Sequence, residues 1–598
     1  MVKTLAEIIK SCSVFSTLEE ADLQALSSLA SVIEIKEGET LFHRGDNSRD
    51  AYIIISGKLV ATTATPTTRG ELIGYLMPNE LVGEMSLLAA DVPRSLTITA
   101  SADSTLLQIH QADFEHYCLN KPKVAFKMLE IIIKRTQGVI RHLEKPMRAQ
   151  FIAFLPADEA VNLEEVIIQL KSCTSHNPKV VILQETDIKA NADNLGHLFL
   201  NLKQQFEYVL YPISIEEQNL TTDILIKYAD KIVLFGYGDQ KADMSPTSLN
   251  LLNSRQHYAH VRNELVLLYK NSELRPFDTR NWLKHANFFR HHHIYLDQIG
   301  DIQRLGRFMT GKAIGLVLGG GGTRGWAHIG ALKALMDANI PIDAVAGTSV
   351  GSVAGGCYLS TPNFESLHSK YQRLQKIVLK SLSLRELTLP LISLFSGKSA
   401  TTITRQEFDF CIEDLPKPFF CISCNITKKE QTIHKHGKLW EIIRASASLP
   451  GIVPPTLIDK QLHVDGGVVN NLPVNIMSEF LENSGTIIAV SLVTPPKETQ
   501  YSFPPIISLW DTILIKCGIK KQYLLPSLFY TFVDSLLMGS YSQQQQNMKK
   551  ADILVQPDLL GYTTLSKKDV SAALISLGYK STKQALLDNK LLLEKIIN

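Results

Sequence analysis

One stretch, Ala313 to Gly351, limits what the chain can fold into more than any other. A short apolar run, Ile314 to Leu318, breaks into four consecutive glycines, Gly319 to Gly322, and a helical pattern follows. A second apolar run ends in Gly347-Thr348-Ser349-Val350-Gly351. That G-x-S-x-G pentapeptide marks a sharp strand-to-helix turn that holds a serine hydroxyl out from the backbone. Two glycine-broken strand ends thus lie near each other in the chain, one able to bind an anion and one presenting a nucleophile. The pairing points to an α/β domain with an acyl-transfer site.

The glycines admit two readings. Gly320, Gly322 and Gly325 form G-x-G-x-x-G after a strand, as in a dinucleotide fold. Alternatively, the backbone N–H groups of Gly320, Gly321 and Gly322 converge on the oxyanion of a tetrahedral intermediate, which donors reach only where no Cβ intrudes. The serine elbow downstream, with Gly347 and Gly351 flanking Ser349, favours the second, since a dinucleotide site has no use for it. Ser349 then needs a base. The α/β-hydrolase order is serine, acid, histidine, but the last histidine here is His463 and the best acid, Asp465, follows it. A Ser349–Asp465 dyad is the economical alternative. The carboxylate takes the serine proton directly and later activates water, which requires a desolvated, tightly bonded pair. This chemistry requires no metal and no cofactor.

Together the three motifs, Gly320 to Gly325, Gly347 to Gly351 and Asp465-Gly466-Gly467, resemble those of the patatin-like phospholipase family. The resemblance continues through Arg444 to Pro450 and Asn470 to Pro473. It implies Ser349 as nucleophile, Asp465 as its partner and Gly320, Gly321 and Gly322 as the oxyanion site, with Arg324 and Gly325 bracing the loop. The implied domain covers residues 311–598, its core motifs lying in 313–495.

Residues 1–149 read differently. A helical start gives way to short strand-like runs, Ser31 to Ile35, Thr40 to His43, Ala51 to Ile55, Lys58 to Ala64 and Glu71 to Tyr75, separated by glycine turns that include Ser56-Gly57. Such spacing predicts a small antiparallel barrel or double-sheet roll, followed by a helical pattern over 121–147. Within it, Gly83-Glu84 opens a short helix and Arg94-Ser95 precedes the next strand. A helix N-terminus and an arginine fork suit a phosphate, and Glu84 suits a ribose hydroxyl. The segment resembles the phosphate-binding cassette of cyclic nucleotide-binding domains, with Gly83, Glu84, Arg94 and Ser95 at matching spacing and departures at Val82, Ser86 and Leu96. The resemblance implies cAMP or cGMP as a regulatory ligand.

Residues 150–305 carry apolar, β-branched runs separated by helical or polar segments: Phe151 to Leu155, Val180 to Leu183, Tyr208 to Ile213, Ile232 to Gly236 and Leu265 to Leu268. That alternation predicts a parallel, doubly wound sheet. The turn after the first run, Pro156-Ala157-Asp158-Glu159, is acidic and lacks a G-x-x-x-x-G-K-[ST] phosphate cradle, so this part reads as an α/β connector without a P-loop. The domain order resembles the neuropathy target esterase branch, which implies hydrolysis of lysophospholipids and related esters.

The rest of the chain narrows the setting. A net charge of +2 in 598 residues carries no sign of a nucleic-acid partner. Eight cysteines in so long a chain do not form a disulfide framework. Cys421 and Cys424 read as reduced strand residues, and His291-His292-His293 lacks the spacing of a metal site. Neither a signal peptide nor a run long enough to span a bilayer is visible, so a cytoplasmic or peripheral-membrane protein is expected. Three apolar segments, Leu387 to Phe395, Ile506 to Ile515 and Leu524 to Met538, are expected first as core or lid helices and second as transient membrane contacts, with Lys516, Lys520 and Lys521 near phosphate headgroups. The contrasting class is a cyclic-nucleotide sensor whose patatin-like domain is a non-catalytic lipid-binding platform. Retention of Ser349, Asp465 and the glycine loop weighs against it.

Overall fold

The structure is a computed structural model. It describes residues 4–12, 15–16, 19–62, 72–83, 93–111, 150–174, 177–190, 195–215, 220–254, 262–381, 383–493, 501–503, 505–517, 519, 523, 525, 528–563 and 569–597. The expected helix over 121–147, Glu84, and the lysines at 520 and 521 lie outside them.

Three sheets follow one another along the chain. The first is six-stranded and antiparallel, with Thr97–Ile109 between Ala30–Ile35 and Ala51–Thr62. The expected turn at Ser56-Gly57 is not a turn. Ala51–Thr62 is one long strand whose register slips between Ile54 and Leu59, because bulges absorb the glycine without ending the pairing.

The second sheet has six parallel strands in the order Phe288–Tyr295, Arg262–Tyr269, Lys231–Tyr237, Gln150–Pro156, Tyr208–Pro212 and Val180–Ile182. The strand Phe288–Tyr295 was not expected, since its Arg-His-His-His centre does not read as a buried strand. Each of its three histidines finds a partner inside the protein. His291 and His293 each donate from Nε2 to the Glu413 carbonyl at 2.9 Å, and His292 meets Glu264 at 3.1 Å. Burial drives all three imidazoles below their ordinary pKa, so they are neutral donors and not cations.

The third sheet, eight-stranded and mixed, holds the motifs. Five strands run parallel, Phe419–Asn425, Ala344–Thr348, Ile314–Leu318, Thr486–Val490 and Ile553–Val555, and an antiparallel flank includes Gln461–Asp465. Apolar residues beneath this sheet, among them Val317, Phe420 and Met477, share one buried core with Ile152, Phe154 and Leu305 of the preceding region. The helix Ser571–Asp588, second from last, packs on the helix Trp326–Asp337, where Gly330 and Gly578 let the backbones touch.

The segment Leu387 to Phe395 is neither a core nor a lid helix. It is an exposed loop closed by a bridge between Leu387 and Phe395. Among the described residues no helix is long and apolar enough to cross a membrane.

Candidate active site

Ser349 sits where the buried strand Ala344–Thr348 turns into the helix Val350–Leu359. Its backbone has φ 54 and ψ −123, a left-handed conformation that a non-glycine residue adopts only under constraint. The flanking glycines supply the constraint. A Cβ on Gly351 would lie 2.0 Å from the Leu318 carbonyl oxygen, and one on Gly347 would lie 2.6 Å from the backbone of Gly351 and Ser352. The Ser349 N–H donates to Ser446 Oγ at 2.9 Å, and Ser352 Oγ donates to the Ser349 carbonyl at 2.6 Å.

Held in this way, Ser349 Oγ donates to Asp465 Oδ2 at 2.7 Å across 116 residues of sequence. Asp465 ends its strand at the turn Gly466–Val468, and its Oδ1 accepts the Gly467 N–H at 2.8 Å. Its own N–H donates to the Ser448 carbonyl, so segments from three parts of the chain fix the carboxylate. Asp465 is buried, and desolvation pushes its pKa up to about 6 against the bonds from Ser349 and Gly467, which lower it. The result is a stronger base than an ordinary aspartate that is still mostly ionised at neutral pH. His463, two residues earlier, is bonded through Nδ1 to Ser423 Oγ at 2.8 Å.

The glycine loop passes beside the serine. A Cβ on Gly320 would come within 3.3 Å of the Ser349 Cβ and 2.3 Å of Asn471 Oδ1. Contrary to the expectation of three oxyanion donors, the Gly320 N–H is already used: it donates to the Asn471 carbonyl at 3.1 Å. Among the described residues, the N–H groups of Gly321 and Gly322 have no such partner. His328 Nε2 donates to the Gly319 carbonyl at 2.7 Å and anchors the loop from below. Arg324 reaches the Tyr562 carbonyl at 2.9 Å and the Leu492 carbonyl at 3.3 Å, tying the loop to the C-terminal part of the sheet. Gly325 gives room to Tyr371 and Val350, whose side-chain atoms would each lie 2.3 Å from a Cβ there.

The helix Leu528–Lys550 contributes a polar row absent from the sequence reading. Ser540 Oγ donates to the Gly467 carbonyl at 2.7 Å, Gln544 accepts from Asn471 at 3.3 Å, and Asn547 donates to the Leu472 carbonyl at 2.8 Å. One helix therefore braces both the aspartate turn and the asparagine that holds Gly320. The spacing of 540, 544 and 547 marks one helical face, but nothing local says that the face points inward.

The first sheet places Arg94 differently from the expectation of a phosphate clamp. Its guanidinium is buried over the Phe42 ring at 3.9 Å and donates to Ser48 Oγ, the Gly83 carbonyl and the Asp50 carbonyl at 3.0, 3.1 and 2.7 Å. Ser95 is exposed. Among the described residues no group of three or more His, Cys, Asp or Glu side chains could hold a metal ion.

Comparison with known families assigns residues 316–478 to patatin-like phospholipases, residues 32–121 to cyclic nucleotide-binding domains and residues 150–317 to the neuropathy target esterase family P-loop like domain. Patatin-like phospholipase domain-containing protein 6 of Homo sapiens is 27% identical over 538 residues, covering 80% of this chain and 38% of its own length. Neuropathy target esterase sws of Drosophila melanogaster is 28% identical over 595 residues, covering 89% of this chain and 41% of its own length. The chain thus spans about two fifths of the length of these relatives.

Proposed function

From a chain that joins a cyclic nucleotide-binding domain, a neuropathy target esterase P-loop like domain and a patatin-like phospholipase domain, we propose a serine hydrolase that cleaves carboxylic ester bonds of lysophospholipids or phospholipids. The observation that carries the proposal is the 2.7 Å bond from the strained Ser349 to the buried Asp465, beside a glycine loop. Ser349 Oγ attacks the ester carbonyl as its proton passes to Asp465 Oδ2. The oxyanion meets the N–H groups of Gly321 and Gly322. Asp465 returns the proton to the leaving alcohol, and an acyl-Ser349 remains. Asp465 then deprotonates a water that attacks the acyl carbonyl, and the fatty acid leaves as Ser349 regains its proton.

A fluorophosphonate probe tests this directly. Wild type is expected to label and to release fatty acid from lysophosphatidylcholine, Ser349→Ala to do neither, and Asp465→Asn to lose about 100-fold or more in kcat/KM. Wild-type turnover that survives in Ser349→Ala would overturn the assignment.

Regulation by cAMP or cGMP at Gly83, Glu84, Arg94 and Ser95 is the second part of the proposal. The ligand phosphate has to displace the Gly83 and Asp50 carbonyls from Arg94. Calorimetry with each nucleotide is expected to give binding heat that disappears in Arg94→Ala; no heat in wild type removes this part. A lipid substrate calls for action at a lipid surface, and the proposal places that surface on the cytoplasmic side of a membrane.

A further inference from the structure

The loop that begins at Leu387 has the build of a rigid apolar finger. Leu389, Leu391 and Ile392 at its tip are 75%, 83% and 73% exposed. Exposure on this scale often accompanies a slack loop, but this one is tied across its neck and base. The Thr388 N–H donates to the Leu394 carbonyl at 3.0 Å, Thr388 Oγ1 to the Ser393 carbonyl at 2.7 Å, and the Ser396 N–H to the Glu386 carbonyl at 2.8 Å. The Glu386 carboxylate closes the base by accepting Ser396 Oγ at 2.7 Å and the Ser399 N–H at 3.0 Å. A backbone pinned in this way holds its apolar side chains in water at a standing cost. A contiguous exposed apolar tip of this kind marks an interaction site.

The finger is also joined to the catalytic machinery. Its Leu394 and Phe395 N–H groups donate to the Gly451 and Ile452 carbonyls at 2.8 and 2.9 Å. Gly451 lies against Phe532 of the helix Leu528–Lys550, the helix whose Ser540 holds the Gly467 carbonyl beside Asp465. The same 448–452 segment supplies the carbonyl that accepts the Asp465 N–H.

We propose that the finger Leu387 to Phe395 inserts into a lipid surface and seats the mouth of the Ser349 site on it. The choice of a lipid surface rests on the lipid-hydrolase reading and on the pattern of charge. The tip from 387 to 395 carries no ionisable group, while exposed Arg385 and Lys398 flank its base and the Glu386 carboxylate between them is turned inward onto Ser396 and Ser399. An uncharged apolar tip with cations behind it matches a bilayer, where acyl chains lie beneath a layer of phosphates. A protein partner would bury the tip equally well but would not call for cations on both sides of an uncharged hairpin.

The test uses the whole 598-residue chain and vesicles of phosphatidylcholine with and without phosphatidylserine. Vesicle partition is measured in a Ser349→Ala background, so that binding is read without turnover. The triple change Leu389→Ser, Leu391→Ser and Ile392→Ser is expected to lower partition about 100-fold, by removing three buried aliphatic side chains from the bound state, with an unchanged thermal transition as the folding control. A single Leu391→Trp is expected to shift its emission to the blue on vesicles and to be quenched by brominated acyl chains. Partition equal to that of the parent in the triple variant, or a Trp signal that ignores vesicles, overturns the proposal. So does a concentration-dependent dimer that the triple change dissolves while the parent fails to bind vesicles. Finger-dependent partition without ester turnover by wild type would leave the finger standing and remove the hydrolase assignment.

Discussion

Asp465 keeps a carboxylate where burial penalises its charge, and its chemistry follows from that penalty. Its pKa of about 6 lies above the ordinary aspartate value of about 3.9, so ionisation disfavours the folded state. The penalty is absent below about pH 4, grows as pH rises from there to the folded value, and is complete above it. Two outcomes are expected. On the proposed mechanism the kcat/KM profile should fall on its acid side near pH 6, because Asp465 must be ionised to take the serine proton. Asp465→Asn should be more stable than wild type at pH 8 by about 2–3 kcal/mol while losing turnover, and thermal denaturation at pH 4 and pH 8 should show the difference vanish at the lower pH. Both residues of the pair were legible from local signals, an elbow motif and an aspartate at a strand end before glycines. Whether their side chains meet depends on how the strand ending at Thr348 and the strand ending at Asp465 come to flank Phe419–Asn425, which no local pattern states.

The elbow is the element whose sterics leave least freedom. With a Cβ on Gly351 only 2.0 Å from a backbone oxygen of the neighbouring strand, relief requires moving backbone and not a side chain. Gly351→Ala is therefore expected to cost about 1–3 kcal/mol of stability and to displace Ser349 from Asp465, which urea denaturation and fluorophosphonate labelling would register together. The helix Leu528–Lys550 shows the opposite case. Its Ser540, Gln544 and Asn547 sit in a glutamine-rich run with no aliphatic residue to mark a buried face. They are buried because the aspartate turn and the Asn470–Asn471 segment arrive beneath that face with carbonyls to satisfy. The strand Phe288–Tyr295 was hidden for the same reason, its histidines and arginine being matched by partners far away in sequence.

At the scale of the molecule, ion pairs bind one sheet to the next. Lys58 of the first sheet meets Asp230 at 2.8 Å, both side chains nearly buried. Lys231 and Arg290 of the second sheet each meet Glu264, and each meets Glu482 beside the third at 2.7 Å. Burial opposes a charge on Glu264, but Arg290 and Lys231 hold its carboxyl well below the usual range. Removing one member leaves an unbalanced buried charge, so Glu482→Ala is expected to destabilise by about 2–4 kcal/mol. Because the second and third sheets share a core, calorimetry should show their unfolding shift together, without a separate early transition.

What the sequence determined by itself is local and steric: the elbow at Ser349, the glycines that permit it, the aspartate at its strand end, and the succession of an antiparallel β-roll, a parallel sheet and an α/β domain. What only the tertiary structure decided is where each hydrogen bond goes. Gly320 looked equivalent to Gly321 and Gly322 until the Asn471 carbonyl took its N–H, and Arg94 looked open to phosphate until the Gly83 and Asp50 carbonyls closed on it. A donor's strength is written in its residue type, but its availability depends on which distant segment reaches it first.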